Sequence, residues 1–461
     1  MNEMFKGIPA QSGKVERFAE ADFYDKRWEQ EAEEAATFKR TVLRFVFNRN
    51  KNLEKFDPTR LPTAKEMREM AQTPDDFEFA SALRDNEAFD KTRQKEFVDG
   101  ERRVILEKLD AEYELWQEKL KPVIGNIKEA VKNPESGKRI MLVILGGGLK
   151  GPYSAAQVLG LHAAGVPPET FTDIIGISTG APVASYYMAG PEQTAIGTSI
   201  YYEECTTKEF INLPRFWKVM DVARLTMDWM AKGPKKLDQE AVRNCGANLW
   251  YGVTRAIKRG EQPKEEFINA KEAKPGMLQA MRASASVPLV AGAVPPVNGI
   301  AYNDGAFDPL AIEEMINQFH PDTILILPNT PFDRLDTFQL SKTERYIGEL
   351  ANGLGAAGSL VSLAQLEKFM QIKEQMRKSI ETIQKENNVN IGFLWPSDTG
   401  LDALKQNPLD MKEAVYRGVR DTVDAFGANQ PDNIVLFETE KFKNRRRSPN
   451  RDEDESLRQA A

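Results

Sequence analysis

The sequence predicts an α/β fold with a mainly parallel central sheet, preceded by a helical N-terminal region. Three observations carry this. Short apolar, β-branched runs recur after residue 138. The first two each lead through a glycine-bearing turn into a helix-forming stretch, the alternation that builds parallel sheets. Residues 1–137 are instead charged, and their apolar positions return at helical spacing. The chain has 461 residues and is 41% apolar, enough for a sizeable core in one large domain plus a smaller one, or in two to three ordinary domains.

In the N-terminal region, RWEQEAEEAATFKRTVLRFVF and ERRVILEKLDAEYELWQEKL read as helices. Ile105, Leu109, Tyr113, Trp116 and Leu120 fall at helical spacing in the second, and Pro122 is expected to end or kink it. A helical extension packed on the following domain and a partner-binding or regulatory module both fit this region. The character changes after Asn133–Gly137, and the main domain is expected over 138–440. Ile140–Leu145 reads as a buried strand running into Gly146-Gly147-Gly148-Leu149-Lys150-Gly151 and a helix from about Pro152 to Ala164. Thr172–Ile175 is a second strand, ending at Gly176-Ile177-Ser178-Thr179-Gly180, and the helix Ala181–Met188 follows. Residues 205–260 are less regular and read as a cap or lid. Leu249–Ile257 and Glu266–Ala270 are strand-like. The loop-rich RASASVPLVAGAVPPVNG then leads to a short strand, Ile300–Asn303. Thr323–Leu327 and Ile391–Trp395 are further strands, separated by a long helical segment over 341–387. Residues 441–461, with few apolar positions and mixed charge, read as a disordered tail.

The formal net charge of −7, from 69 acidic and 62 basic residues, argues against a dedicated nucleic-acid binder. Cys205 and Cys245 stand far apart without nearby histidines, which is not zinc-ligand spacing; they read as two free thiols in a reducing compartment. The N-terminus shows no apolar signal core, and no stretch approaches the about 18 consecutive apolar residues of a spanning helix. A soluble cytoplasmic chain is expected, with peripheral membrane contact left open. Nothing in the motifs calls for a cofactor or a metal.

Two motifs carry chemistry. Gly146-x-Gly148-x-x-Gly151 lies between a strand and a helix and has the spacing of a dinucleotide fingerprint, with Asp173 roughly where a ribose-binding acid would stand. Pro152 after Gly151 departs from the phosphate-loop pattern of nucleotide hydrolases. Bare N–H groups at a helix N-terminus hold a phosphate or a developing oxyanion equally well, so the loop alone leaves both open. Gly176-Ile177-Ser178-Thr179-Gly180 sits between a strand and a helix, the context in which a GxSxG sequence makes a nucleophile elbow. A serine needs a base, and the chain has only two histidines. His162 precedes Ser178 within a helix. His320 lies just before a strand, whereas sites in open α/β sheets form at the carboxyl ends of strands. Both read as structural. Asp304, in Asp304-Gly305-Ala306 at the end of a short strand, is the remaining candidate base.

On these residues the chain resembles the patatin-like phospholipases, which use a Ser-Asp dyad. The resemblance covers about 138–400 and rests on three motifs in the family's order: the glycine loop, GxSxG, and Asp-Gly-Gly/Ala. Arg282-Ala283-Ser284-Ala285-Ser286-Val287-Pro288 also looks like the family's bacterial members. Leu145 stands where some members carry Asp. The resemblance implies a three-layer fold and a lipid acyl hydrolase of the phospholipase A or lysophospholipase type, acting on a phospholipid or other acyl-ester lipid. In it Ser178 is the nucleophile and Asp304 the base. Backbone N–H groups of Gly147 and Gly148, with Lys150 or Gly151, form the oxyanion hole, and Gly146, Gly176, Gly180, Gly305 and Ala306 complete the motifs. A carboxylate is a weaker base than imidazole, about 4 against about 6.5 in reference pKa, so a partly enclosed pocket is expected around Asp304. The Lys150 side chain would lie near a lipid phosphate or in solvent.

Residues 208–259 hold 11 basic and 5 acidic residues, interleaved with Phe210, Phe216, Trp217, Met220, Met227, Trp229 and Met230. That mixture suits a lid touching anionic lipid or a cap packing over the domain. An acyltransferase on the same serine scaffold, a nucleotide-binding protein using the glycine loop, and a catalytically inert scaffold are the alternatives.

Overall fold

The computed structural model describes residues 91–211, 220–255, 265–287, 291, 294, 296–305, 311–332, 356–397, 399, 401, 407–431, 434 and 436–440. The expected helices before residue 91, the segment 341–355, Phe216, Trp217, Pro288, Ala306 and the tail 441–461 lie outside these residues.

The expected mainly parallel α/β architecture is present. Among the described residues a seven-stranded sheet contains β1 (Ile140–Ile144), β2 (Asp173–Ile177), β3 (Asn248–Arg255), β4 (Glu265–Asn269), β5 (Tyr302–Asp304), β6 (Thr323–Leu327) and β7 (Asn390–Phe393). Its order is β4-β3-β2-β1-β6-β7, with β5 paired to β3. The pairs β1–β2, β1–β6, β2–β3 and β6–β7 are parallel, whereas β4 and β5 both run antiparallel to β3. Every residue of β1, β2 and β6 is buried. Burial on both faces is why these strands are continuous apolar runs rather than alternating ones.

Among the described residues, helices of eight residues or more are α1 (Lys91–Lys132), α2 (Pro152–Ala163), α3 (Gly180–Met188), α4 (Pro191–Glu203), α5 (Met277–Ser284), α6 (Ile312–Phe319), α7 (Ala356–Asn387) and α8 (Pro408–Ala425). Of the two outcomes expected at Pro122, an end or a kink, the end does not occur: α1 runs on to Lys132. A proline inside a helix costs about 3 kcal/mol, through one lost hydrogen bond and a ring clash. Here Leu120, Val123, Ile124 and Ile127 flank it and are buried in the same apolar core as the strands. At about 1.5–3 kcal/mol for each fully buried side chain, that packing outweighs the proline.

The chain divides into two compact units. One comprises residues 1–10, 113–334 and 378–461 and holds the sheet; the other comprises residues 11–112 and 335–377. In the second, Arg377 Nε donates to Glu112 Oε1 at 2.6 Å. No helix among the described residues is long and apolar enough to cross a membrane.

Candidate active site

The chain turns sharply where β2 ends. Ser178 takes φ +52°, a left-handed conformation rare for a residue with a side chain, and the Ala181 N–H donates to the Ser178 carbonyl at 3.0 Å as α3 begins. Two glycines make room for this elbow. A Cβ on Gly180 would stand 2.1 Å from the Ile144 carbonyl oxygen, so only glycine lets α3 start against β1. A Cβ on Gly146 would stand 2.7 Å from Ser178 Cβ, which places the glycine loop directly over the serine.

Asp304 reaches the same point from the opposite direction. β2 pairs with β3 over Asn248–Gly252, and β5 pairs with β3 over Val253–Arg255. β4 pairs along Trp250–Thr254 and so occupies the other edge of β3. β2 and β5 therefore share one edge of β3 and meet carboxyl end to carboxyl end. The Ser178 hydroxyl donates to Asp304 Oδ2 at 2.8 Å. Both residues are buried, Ser178 7% and Asp304 1% exposed, in keeping with the enclosure expected for a carboxylate acting as base. The Asp304 N–H donates to the Ser286 carbonyl at 3.1 Å, and its carbonyl accepts from Thr254 Oγ1 at 3.0 Å. Gly305 passes so close to β3 that a Cβ would stand 2.5 Å from the Gly252 carbonyl oxygen.

The glycine loop is narrower in what it offers than the motif suggests. The N–H of Lys150 donates to the Gly147 carbonyl at 3.1 Å and that of Gly151 to the Gly148 carbonyl at 3.3 Å. Both close a 3₁₀ turn over Gly148–Lys150, so neither is the oxyanion donor expected of it. The N–H groups of Gly147 and Gly148 donate to no described residue. Nor does the Lys150 side chain lie in solvent: it is buried and donates to Thr330 Oγ1 at 2.7 Å. Asn329, which sequence reasoning missed, clamps the loop. Its Nδ2 donates to the Leu145 carbonyl and its Oδ1 accepts from the Ser154 N–H at 3.0 Å. The available signal was a polar pair, Asn329-Thr330, just past the carboxyl end of a buried strand. Ser284, noted only as part of a familiar run, accepts the Ser178 N–H at 3.1 Å.

The remaining candidates are placed away from this chemistry. His162 is buried in α2 against Thr194 Oγ1 at 3.1 Å, and burial pushes its pKa down to about 4 against the effect of a backbone hydrogen bond at Tyr187. His320 is an exposed left-handed cap at the end of α6. Asp173 stands at the start of β2, where it accepts from Asn248 Nδ2 at 3.0 Å and Trp250 Nε1 at 2.9 Å. It is therefore at the opposite sheet edge from the glycine loop, and the ribose-binding expectation fails on position. Cys205 and Cys245 are buried free thiols. In the cap segment Phe210 and Met230 are buried, and Met220 and Trp229 pack on the core; Met227 is exposed. Lys235 is buried as well, paired with Glu203 at 2.9 Å. These described residues pack as a cap, so the apolar side chains available to a lipid surface are fewer than the composition suggests.

No family model matches the chain. Among curated proteins, an uncharacterized protein, YjjU of Escherichia coli (strain K12), is 24% identical over 233 residues, which is 49% of this chain and 62% of that protein. The chain thus spans less than two thirds of the length of this relative. Among solved structures, VipD from Legionella pneumophila aligns with a TM-score of 0.32 and 12% identity, covering 63% of this chain and 67% of that one. A likeness so distant adds nothing to the reading of the site.

Proposed function

We propose that this chain is a serine acyl hydrolase of the patatin-like kind, cleaving fatty-acyl esters of phospholipids or related lipids. One observation supports it above the rest: a serine on a left-handed elbow donates its hydroxyl hydrogen to a buried carboxylate 2.8 Å away. In this reading Ser178 Oγ attacks the ester carbonyl while Asp304 takes its proton. The tetrahedral oxyanion is held by the N–H groups of Gly147 and Gly148. Collapse expels the alcohol, which recovers the proton from Asp304, and leaves an acyl-serine. Water then attacks the acyl group as Asp304 takes its proton; collapse breaks the bond to Ser178 Oγ, which recovers that proton from Asp304 as the fatty acid leaves. Fewer oxyanion donors than the motif offers is tolerable, since a pair of them suffices in serine hydrolases.

The test is fatty-acid release from defined phospholipids by the full chain. Ser178→Ala and Asp304→Asn should each lower the rate by roughly 1,000-fold or more. Equal release by all three proteins would end the proposal.

A further inference from the structure

Ser178 is strained in its backbone, and something must hold it there. The N–H of Ser178 lies immediately past the last register pair of β2 and β3, Ile177↔Gly252. Ser284, the final residue of α5, stands at that point and is wholly buried. Its hydroxyl accepts from the Ser178 N–H at 3.1 Å and donates to the Gly252 carbonyl at 2.7 Å. A hydroxyl carries a single donor, so with Gly252 taking the hydrogen its lone pairs face Ser178. Neither bond can be replaced by bulk water at a site with no exposure.

The same short segment also holds the other partner. Two residues on, the Ser286 carbonyl accepts the Asp304 N–H, while Thr254, two residues past Gly252 on β3, donates to the Asp304 carbonyl. Ser284, Gly252, Thr254, Asp304 and Ser286 thus form a closed ring of backbone and hydrogen bonds, to which Ser178 is attached by its N–H at Ser284. The Ser178–Asp304 contact ties Ser178 to the same ring a second time.

We propose that Ser284 is a positioning residue whose hydroxyl, by bridging the Ser178 N–H to the Gly252 carbonyl, sets the approach of Ser178 Oγ to Asp304. The proposal rests on the hydrolase reading above. It predicts an effect on turnover and not on substrate affinity, because Ser284 touches the nucleophile's backbone and no part of the substrate.

The experiment measures kcat and KM for a soluble acyl ester, and the melting temperature, on the full chain. It compares wild type with Ser284→Ala, Ser284→Thr, Ser284→Cys, Thr422→Ala and Ser178→Ala. Thr422 supplies the control, since its buried hydroxyl donates only within α8, to the Gly418 carbonyl. Ser284→Ala should lose on the order of 100-fold in kcat, the scale expected of a misplacement near 1 Å, with KM within about twofold. Ser284→Thr keeps the hydroxyl and should recover most of the loss. Thr422→Ala should melt earlier with kcat unchanged. If Ser284→Ala does not fold, Ser284→Cys decides, because its thiol is nearly isosteric but a poor hydrogen-bonding group. Loss of kcat in folded Ser284→Cys supports the proposal, and wild-type kcat overturns it. A folded Ser284→Ala with wild-type kcat, or a kcat loss matched by Thr422→Ala at equal loss of melting temperature, overturns it too. Ser178→Ala separates the two readings. If it is inactive while folded Ser284→Ala turns over normally, only the role of Ser284 fails; if it is fully active, the hydrolase reading fails.

Discussion

Ser178 and His162 are both buried polar residues, and their surroundings assign them different work. Ser178 faces a carboxylate, whereas His162 faces a threonine hydroxyl and the Tyr187 ring at 4.6 Å. His162 is consequently held neutral, and this has a consequence for stability. Its folded-state pKa, about 4, lies below the ordinary value near 6.5, so the unfolded chain binds the proton first. Stability on this account is fully present above about pH 6.5 and is lost as pH falls toward about 4, by roughly 3 kcal/mol in all. Urea unfolding of wild type and His162→Gln at pH 7, 5.5 and 4 should show that loss in wild type alone; parallel curves would count against it. Gly146 makes a second prediction. An added Cβ would lie 2.7 Å from Ser178 Cβ, with backbone on both sides and no rotamer to turn away. Gly146→Ala should therefore cut kcat about 100-fold, by shifting either the loop or the nucleophile.

The meeting of β2 and β5 on one edge of β3 depends on their opposite directions. β2 runs parallel to β3 and stops at Gly252; β5 runs antiparallel and stops at Val253. Both carboxyl ends then face each other across a single residue step, and the residues that follow the parallel strand and end the antiparallel one come into contact. Had β5 been parallel, its last residue would have been carried away from Ser178 along β3. The helices show a comparable dependence on close approach. α2 and α8 pack through glycines: a Cβ on Gly418 would stand 2.6 Å from Ala156 Cβ, and one on Gly160 would stand 2.5 Å from Thr422 Cβ. Gly418→Ala gains about 1 kcal/mol in helix propensity. Overpacking of this kind costs about 1–3 kcal/mol, and two Cβ atoms at 2.6 Å have no flexible end to yield. The net effect should be a lower melting temperature in a thermal scan. A raised one would mean the helices separate easily.

The unit that holds the sheet is closed by a buried ion pair far along the chain. Lys235 and Glu203 are each 2% exposed and 2.9 Å apart. Glu203 also accepts from the Thr439 N–H at 2.8 Å and from Thr439 Oγ1 at 2.7 Å. Beside it Tyr202 donates to the Phe437 carbonyl at 2.6 Å, and Lys235 lies over the Phe437 ring. The segment 436–440 is thereby fixed to α4. Burial lowers the Lys235 pKa, and Glu203 is the chief influence holding the charge in place. Replacing Glu203 by Gln leaves that charge uncompensated and should cost about 3–5 kcal/mol, whereas the double change Glu203→Leu, Lys235→Met should recover much of it. Denaturant unfolding of the single and double variants distinguishes these outcomes. α4 further connects to the site, since Tyr201 and Thr179 share a hydrogen bond between their side-chain oxygens at 2.8 Å.

Much of this was legible in the residues. Apolar runs announced β1, β2 and β6, glycines announced the elbow and the loop, and the scarcity of histidine directed attention to Asp304. Those are local properties: side-chain periodicity, backbone freedom and residue type act within a few positions. That the helix runs on past Pro122 was not legible, because the local cost was visible and the distant packing that outweighs it was not. The Lys150 and Gly151 N–H groups were misjudged because a motif does not reveal which donors its own turn consumes. Asp173 matched a spacing but sits at the wrong end of its strand. By itself, then, the sequence determined where the strands and the strained turn lie and which residue types stand there. Only the tertiary structure decided that Ser178 touches Asp304, 126 positions away, and that Ser284, 106 positions away, holds it in place. Contacts of that range depend on strand direction and register, which arise when the whole sheet assembles and leave no periodic trace in the chain.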